Sequence, residues 1–503
     1  MSEPPARVPI PVHDQTWLFM DKPNNLMYIN ALLWMRSTPD FADLVEVIEE
    51  RVVGKHPVMG CRAVQDGGAW FWEPDPDFDI SRHVTQRRMP KGSTKADVQD
   101  HLSTCFGTPF PSGRPLWSME LLTGIGDGHE SVLFIRIHHG ITDGIRSTQL
   151  LLNMCDHDAG EHSVARVGDR HAPAGPLDLF EFVGRHVVHD AGDLARATSP
   201  VGAPDAMKQL TRLPHAVSET ARRVIRRPGT IRQVPGEVVE GLASFTAEDN
   251  TFVNTSRAVF RLVFEPRSPK LAWSGTPGLE KKVGWVDDIP LDEVKALAHD
   301  RHATVNDVLM SSVSRALTTY LAEEGTPVTG GALNWLVPIS LAPLDAELPP
   351  DLGNHFSLVM FRMPVGINDP IDALRATRSM MNRTKHSLEP HVAYTILQTL
   401  ALGPRMLSAG VRNYLADKCV GQLTNVPGPQ SPLNLAGARV ESVLGWVPLS
   451  GDQTLGLCIF TYAGRIGIGI SADAALVRDP QRIADLVAES LDDLTNGSLA
   501  GRY

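Results

Sequence analysis

Val132-Leu133-Phe134-Ile135-Arg136-Ile137-His138-His139-Gly140-Ile141-Thr142-Asp143-Gly144 runs from an almost unbroken apolar segment into a polar turn that carries two adjacent histidines. The apolar part, with its β-branched residues, predicts a strand. Apolar residues at helical spacing after Asp143 (Leu150, Leu151, Leu152, Met154) predict a helix starting there. Side chains at such a junction can be both fixed and open to a cleft. Neighbouring residues on a strand point to opposite faces, so one histidine is expected to face the cleft and the other to face packing. A cleft histidine suits proton transfer, because an unperturbed imidazole titrates at about 6.5. Asp143 can hold the turn through backbone N–H groups or a nearby Arg, and Gly144 permits close approach. A metal site is disfavoured: two neighbouring strand histidines point apart, and no other His or Cys falls at close ligand spacing to complete a set.

Upstream, Trp117-Ser-Met-Glu-Leu-Leu predicts a second strand, joined to the first across Gly124-Ile-Gly126-Asp127-Gly128. A phosphate cradle needs a strand before the glycines and a helix start after them. Here a strand lies on each side, so the glycines are read as a hairpin turn. Residues 27–34 predict a further strand, and residues 41–53 a helix. In the second half, helices are expected at about 291–299, 305–320 and 371–382, and strands at 334–338, 356–361, 454–460 and 465–471. The glycines of Arg465-Ile-Gly-Ile-Gly-Ile-Ser are read as close strand packing, since no helix opens directly after them. Strands and helices mix without regular βαβ alternation, which predicts two α+β units.

The remaining features exclude whole classes of function. The 503 residues carry 47 Lys plus Arg against 58 Asp plus Glu, a formal charge of −11. That balance argues against a nucleic-acid partner, which needs a basic face. No apolar run reaches the roughly 18 residues of a spanning helix, and Met1-Ser2-Glu3-Pro4-Pro5 does not resemble a secretory signal. Cys61, Cys105, Cys155, Cys419 and Cys458 are odd in number and contain no CxxC, so they are expected to be reduced core residues of a cytoplasmic protein. His186 and His189 form an HxxH pair that a surface helix explains. The cluster Arg222, Arg223, Arg226, Arg227 is a solvated face or a contact for acidic headgroups or a phosphorylated substrate. No Gly-x-Ser-x-Gly elbow and no flanked cysteine is present, so no covalent acyl-enzyme is expected. A histidine base without a protein nucleophile implies group transfer to an alcohol, amine or thiol supplied by a second substrate.

The chain resembles the bacterial wax ester synthase/acyl-CoA:diacylglycerol acyltransferases over nearly its whole length. Their HHxxxDG motif is matched by His138 to Gly144, and their Pro-Leu-Trp motif by Pro115-Leu116-Trp117. Their Asn-Asp helix start is matched by Asn306-Asp307. Further similarity lies in Val337-Pro-Ile-Ser, Leu352-Gly353-Asn354 and Asn425-Val-Pro-Gly-Pro429. Three features depart from the family pattern: Gly140 stands where alanine is usual, Leu26-Met27-Tyr28-Ile29-Asn30 replaces Pro-Met-His-Val-Gly, and the proline-broken segment before Asn254 aligns poorly.

The resemblance implies two chloramphenicol-acetyltransferase-like domains with the active site in a channel between them: residues 1–189 carrying HHxxxDG, a proline-broken helical connector at 190–253, and a second half at 254–503. It implies His139 as general base, with His138 and Asp143 beside it. Asn306 is the candidate for polar support, or alternatively a helix cap, a position Thr304 could also fill. Asp307, Gly144, Pro115, Leu116 and Trp117 would shape the site. Acyl-CoA is expected as a substrate, with no separate cofactor, and diacylglycerol or a fatty alcohol as acceptor. The acyl chain requires an apolar lining, for which residues 392–411 are candidates alongside a reading as ordinary core. Water-insoluble acceptors imply peripheral work at the inner membrane or a lipid droplet. Three alternatives remain: an enzyme of the same fold that esterifies polyketide or sugar-lipid hydroxyls, a condensation-type enzyme with carrier-bound substrates, and a non-catalytic lipid-binding relative.

Overall fold

The structure, a computed structural model, describes residues 7–157, 268–340, 347–385 and 418–500. The stretch 190–253, the arginine cluster, His186, His189 and the apolar region 392–411 lie outside the described residues.

The first half opens with β1 (Val8–Pro9), α1 (Val12–Met20), β2 (Tyr28–Met35) and α2 (Phe41–Ile48), the last extended by a π-helical turn at Glu49–Val53. Next come β3 (Cys61–Asp66), β4 (Ala69–Pro74), β5 (Val84–Ser93), α3 (Lys95–Phe106), β6 (Trp117–Ile125), β7 (Glu130–His138), α4 (Gly144–Met154) and β8 (Asp156–His157). The expected hairpin forms: β6 and β7 pair antiparallel, with Trp117 opposite Ile137. β7 then lies antiparallel to β2, with Tyr28 opposite His138. Its apolar run is unbroken because both faces are covered. Leu133, Ile135 and Ile137 join the core that includes Leu44 of α2 and Leu150 of α4, while Val132 and Phe134 meet Val98 and Leu102 of α3 on the other face.

The second half comprises β9 (Lys281–Pro290), α5 (Leu291–Asp300), α6 (Val305–Glu323), β10 (Gly331–Ser340), β11 (Phe356–Val365), α7 (Pro370–Lys385), β12 (Gly421–Pro427), β13 (Leu433–Leu435), β14 (Ala438–Trp446), β15 (Leu455–Tyr462), β16 (Arg465–Asp473) and α8 (Pro480–Ala500). Among the described residues, six of these strands form a sheet in the order β11-β10-β12-β15-β16-β9. One face of it is buried with Val308, Val313 and Leu317 of α6 and Ile483, Val487 and Leu491 of α8.

Chain order and sheet membership part company at β13 and β14. These two strands join the first sheet, in the order β5-β6-β7-β2-β14-β13-β8. From there β14 also packs against the second sheet. A Cβ at Gly469 would lie 2.4 Å from the Gly445 oxygen and 2.9 Å from Trp446 Nε1. Only glycine fits that contact, as expected from the sequence. Both sheets belong to one compact unit. All five cysteines are unpaired; Cys155, Cys419 and Cys458 are buried as expected, whereas Cys61 and Cys105 are half-buried and not core.

Candidate active site

The end of β7 and the start of α4 hold the two histidines through backbone bonds on both sides. The His138 N–H donates to the Leu116 carbonyl (2.9 Å), and the His139 N–H donates to the Met27 carbonyl (2.7 Å). Both side chains are buried, with the rings serving different ends. His138 Nδ1 accepts the Gly140 N–H at 2.9 Å, which ties the ring to its own turn, and its Nε2 lies 3.7 Å from Asp21. The His139 ring stacks on Trp17 of α1, with centroids 4.0 Å apart and planes 18° apart. Asp143 is the N-cap of α4: Oδ1 accepts the Arg146 N–H at 2.9 Å. Its second oxygen accepts the His355 N–H at 2.7 Å, from a residue 212 positions away. Asp143 thus holds the turn through backbone N–H groups, as the sequence suggested, and also fastens a distant segment to it.

That segment is Leu352-Gly353-Asn354-His355. Leu352 and Gly353 both take positive φ, 52° and 78°. The second is free for glycine alone, since L side chains are strained there. The resulting bend lets the Gly353 N–H donate to the Ile141 carbonyl at 2.8 Å, and Arg146 Nη1 donates to the Leu352 carbonyl. Asn354 is thereby delivered to His139. Its Nδ2 donates both to the His139 carbonyl (2.8 Å) and to Asp14 Oδ1 (2.7 Å). With both amide hydrogens committed, Oδ1 must face His139 Nδ1, which lies 2.8 Å away. A carbonyl oxygen only accepts, so the proton sits on Nδ1 and the Nε2 lone pair is free. Burial lowers the His139 pKa to about 4 against the raising effect of the Asp143 carboxylate, so the ring is neutral near pH 7. Burial pushes Asp14 the other way, up to about 7, against the Asn354 hydrogen bonds and the Arg146 charge.

The other motif residues support the site at a distance. Pro115 and Trp117 are buried; Trp117 stacks on His83 (4.7 Å) and donates Nε1–H to the Met59 carbonyl at 2.7 Å. A Cβ on Gly144 would meet nothing within 4 Å, so that position faces open space. Thr304 is the cap of α6, closing a reciprocal box with Asp307. Asn306 is not the cap. Its Oδ1 accepts from Asn425 Nδ2 at 3.1 Å rather than from any group of the His139 set. Asn354, Asp14 and Trp17 were not picked out from the sequence. Asn354 lies inside a motif quoted for its resemblance alone, and nothing local marks Asp14.

Away from this site, His101, Cys105 and Glu120 come within 4.8 Å of one another. Glu120 already pairs with Arg87 (2.8 Å) and His101 (2.7 Å). Hydrogen bonds to Cys105 and Glu120 raise the His101 pKa to about 9, so His101 and Arg87 both pair with the Glu120 carboxylate.

Residues 11–309 match the wax ester synthase/diacylglycerol acyltransferase catalytic domain, and residues 352–495 match the C-terminal domain of the same proteins. A Mycobacterium tuberculosis protein named as a probable diacylglycerol O-acyltransferase is 23% identical over 423 residues, 83% of this chain and 80% of its own. A Mycobacterium bovis protein whose name carries the same activity is 24% identical over 510 residues, 98% of this chain and 92% of its own. Among solved structures, the wax ester synthase/diacylglycerol acyltransferase of Marinobacter aquaeolei VT8 shares the fold, with a TM-score of 0.64 at 17% identity over 98% of this chain and 99% of that one. The first condensation domain of the calcium-dependent antibiotic synthetase does so at 0.55, with 13% identity over 99% and 97% of the two chains.

Proposed function

The chain belongs to the wax ester synthase/diacylglycerol acyltransferase family, and we propose that it transfers a long-chain acyl group from acyl-CoA to the hydroxyl of diacylglycerol or of a long-chain alcohol, with His139 as general base. The observation that carries this reading is the free Nε2 of a neutral, buried His139 whose tautomer Asn354 enforces. As the acceptor oxygen attacks the thioester carbon, Nε2 takes its proton. The tetrahedral oxyanion then collapses, the C–S bond breaks, and the departing thiolate receives the proton from His139. Base catalysis of this kind is worth roughly 10²–10⁴-fold; positioning and oxyanion stabilisation must supply the rest. His138 and Asp143 hold the loop that presents His139 and do not exchange protons with substrate. Pro115, Leu116 and Trp117 shape the scaffold around that loop, whereas Asp307 closes the first turn of α6 with Thr304.

Acyl-CoA is consumed as a substrate, and no further cofactor is invoked. The acceptors are insoluble in water, and among the described residues no helix is long and apolar enough to cross a membrane. The enzyme is therefore proposed to work peripherally, at the inner membrane or a lipid-droplet surface on the cytoplasmic side. The test is thiol release from palmitoyl-CoA in mixed micelles containing hexadecanol or dioleoylglycerol. Release with both, at kcat/KM values within about 10⁴ of each other, fits an apolar acceptor site, where one methylene is worth only about 1–3 kcal/mol. Release with neither, but with a sugar or polyketide hydroxyl, would replace this acceptor class. Flotation with vesicles tests the peripheral location.

A further inference from the structure

We propose that Asp14 is a positioning residue for this chemistry: through the Asn354 amide, its carboxylate fixes the His139 ring and supports the positive charge the ring acquires when it takes a proton. The inference rests on the general-base reading of His139. The hydrogen-bonded chain runs from Asp14 Oδ1 to Asn354 Nδ2 (2.7 Å) and from Asn354 Oδ1 to His139 Nδ1 (2.8 Å). Asp14 is only 2% exposed, and its chain partner in the second half arrives from 340 residues away. A buried carboxylate is costly unless something uses or pairs it. Here the charged groups around it are few. His13, on the same helix, approaches Oδ1 at 3.4 Å. Arg146 and Asp143 come from α4 and its cap, and His355 follows Asn354. The Arg146 guanidinium donates to the Leu352 carbonyl, and it forms no ion pair with Asp14.

A neutral His139 held well below its ordinary range is a weak base, since proton-transfer catalysts work best with pKa values near the operating pH. A carboxylate one amide away corrects this only when it is ionised. One pKa unit of support is tenfold in proton affinity, so one to two units predict a gain of about 10- to 100-fold. The sign follows from the raised pKa of Asp14. Above about 7 the carboxylate is charged and the support is present; as pH falls through 7 the group is protonated and the support is lost. Burial lowers the pKa of both His13 and His355 below 6.5, so neither would place a limb at 7.

The experiment measures kcat and KM from pH 5.5 to 8.5 for the full chain and for Asp14→Asn, with palmitoyl-CoA and whichever acceptor the wild type uses. The expected result is a wild-type acid limb near pH 7 that is absent from Asp14→Asn. The variant should be slower by about 10- to 100-fold at pH 8, within about fourfold of wild type at pH 5.5, and within about twofold in KM. Asn354→Leu cuts the chain with Asp14 in place and should erase the same limb, which keeps the test open if Asp14→Asn fails to fold. A limb near 7 that survives either substitution, or an equal loss at every pH, overturns the proposal. The ¹⁵N shifts of His139 give a readout without turnover: Nδ1–H in the wild type, a mixture of tautomers in Asp14→Asn. If the wild type turns over no acyl-CoA while this spectral change appears, the general-base reading falls and the positioning role stands; identical spectra overturn the role itself.

Discussion

Two helices in this protein start with the same chemistry and do different work. At α4, Asp143 caps the helix by accepting the Arg146 N–H. At α6, Asp307 accepts the Thr304 N–H at 2.9 Å while Thr304 Oγ1 accepts the Asp307 N–H at 3.1 Å. Each satisfies orphan donors of a first turn. The difference lies in the second carboxylate oxygen. In Asp143 it reaches the His355 N–H and fastens the segment that carries Asn354. In Asp307 it is buried without a hydrogen-bond partner among the described residues. One acidic side chain is therefore a joint between distant parts of the chain, and the other the inner half of a local capping box. Both belong to motifs shared with the family, so motif membership alone does not separate function from folding.

The largest expected effect tests what the α4 joint is for. His139→Ala should reduce acyl transfer by at least about 10²-fold, the low end for losing a general base, with an unchanged circular dichroism spectrum. Activity comparable to the unmutated protein would remove the reason for reading this loop as the reacting centre.

The contrast between the two caps comes next. Asp143→Ala removes a cap worth about 0.5–2 kcal/mol and leaves the His355 N–H without its acceptor, at a further cost of about 1–3 kcal/mol. Because the segment carrying Asn354 then loses one of its ties to the turn, kcat should fall about 10-fold. Asp307→Ala should cost about 1 kcal/mol of stability and leave kcat nearly unchanged. Thermal melts beside initial rates for the two variants decide it. An Asp307→Ala enzyme that keeps its melting temperature but loses its rate would abolish the distinction and return the Asn306–Asp307 start to the reacting centre.

His138→Ala is expected to fall between these effects. The ring supplies one hydrogen bond to the turn, the Gly140 N–H. Deleting it frees a backbone donor in a buried loop at about 1–3 kcal/mol, while Nε2 of His139 stays in place. The loss in kcat should be clearly smaller than for His139→Ala. Equal losses would mean that the two rings cannot be assigned separate roles.

How much of this could be read from the sequence follows the reach of each interaction. The β6–β7 hairpin and the start of α4 were legible, because apolar runs parted by a glycine turn and a cap residue act within a few positions. The start of α6 was legible in the same way, as a choice between Thr304 and Asn306 for its cap, and Thr304 takes it. β5 was not. It is an edge strand whose Gln86, Arg87 and Arg88 are exposed, so it shows no apolar alternation. β14 was missed for another reason: its partner β2 is over 400 residues away, with Gly445 opposite Ala31, and no local period encodes that pairing. The site divides along the same line. His139 and Asp143 lie within one turn of chain, whereas Asn354 and Asp14 meet His139 only after a bend at Leu352–Gly353 and the packing of α1.

The smallest expected effect concerns Gly140, where the family usually has alanine. A Cβ there would sit 3.0 Å from His138 Nδ1 and 3.4 Å from Cε1. The same ring nitrogen accepts the Gly140 N–H, so a methyl group pushes on the atom that the backbone must hold. Beside the ring lie Tyr28, 5.6 Å away and tilted by 58°, and Asp21. A displacement of a few tenths of an ångström lengthens one hydrogen bond without breaking the loop, because Asp143 and the Ile141 carbonyl still hold the 352–355 segment. Gly140→Ala should therefore change stability by less than about 1 kcal/mol and kcat by no more than a few-fold. The added methyl also restricts the unfolded chain, which offsets part of the crowding by about 0.4–1 kcal/mol. Paired melts and rates for Gly140→Ala and Gly140→Ala/His138→Ala measure the contact directly. If the methyl acts through the His138 ring, its effect should vanish once that ring is gone; an undiminished effect in the double variant would place the reason for glycine elsewhere in the turn.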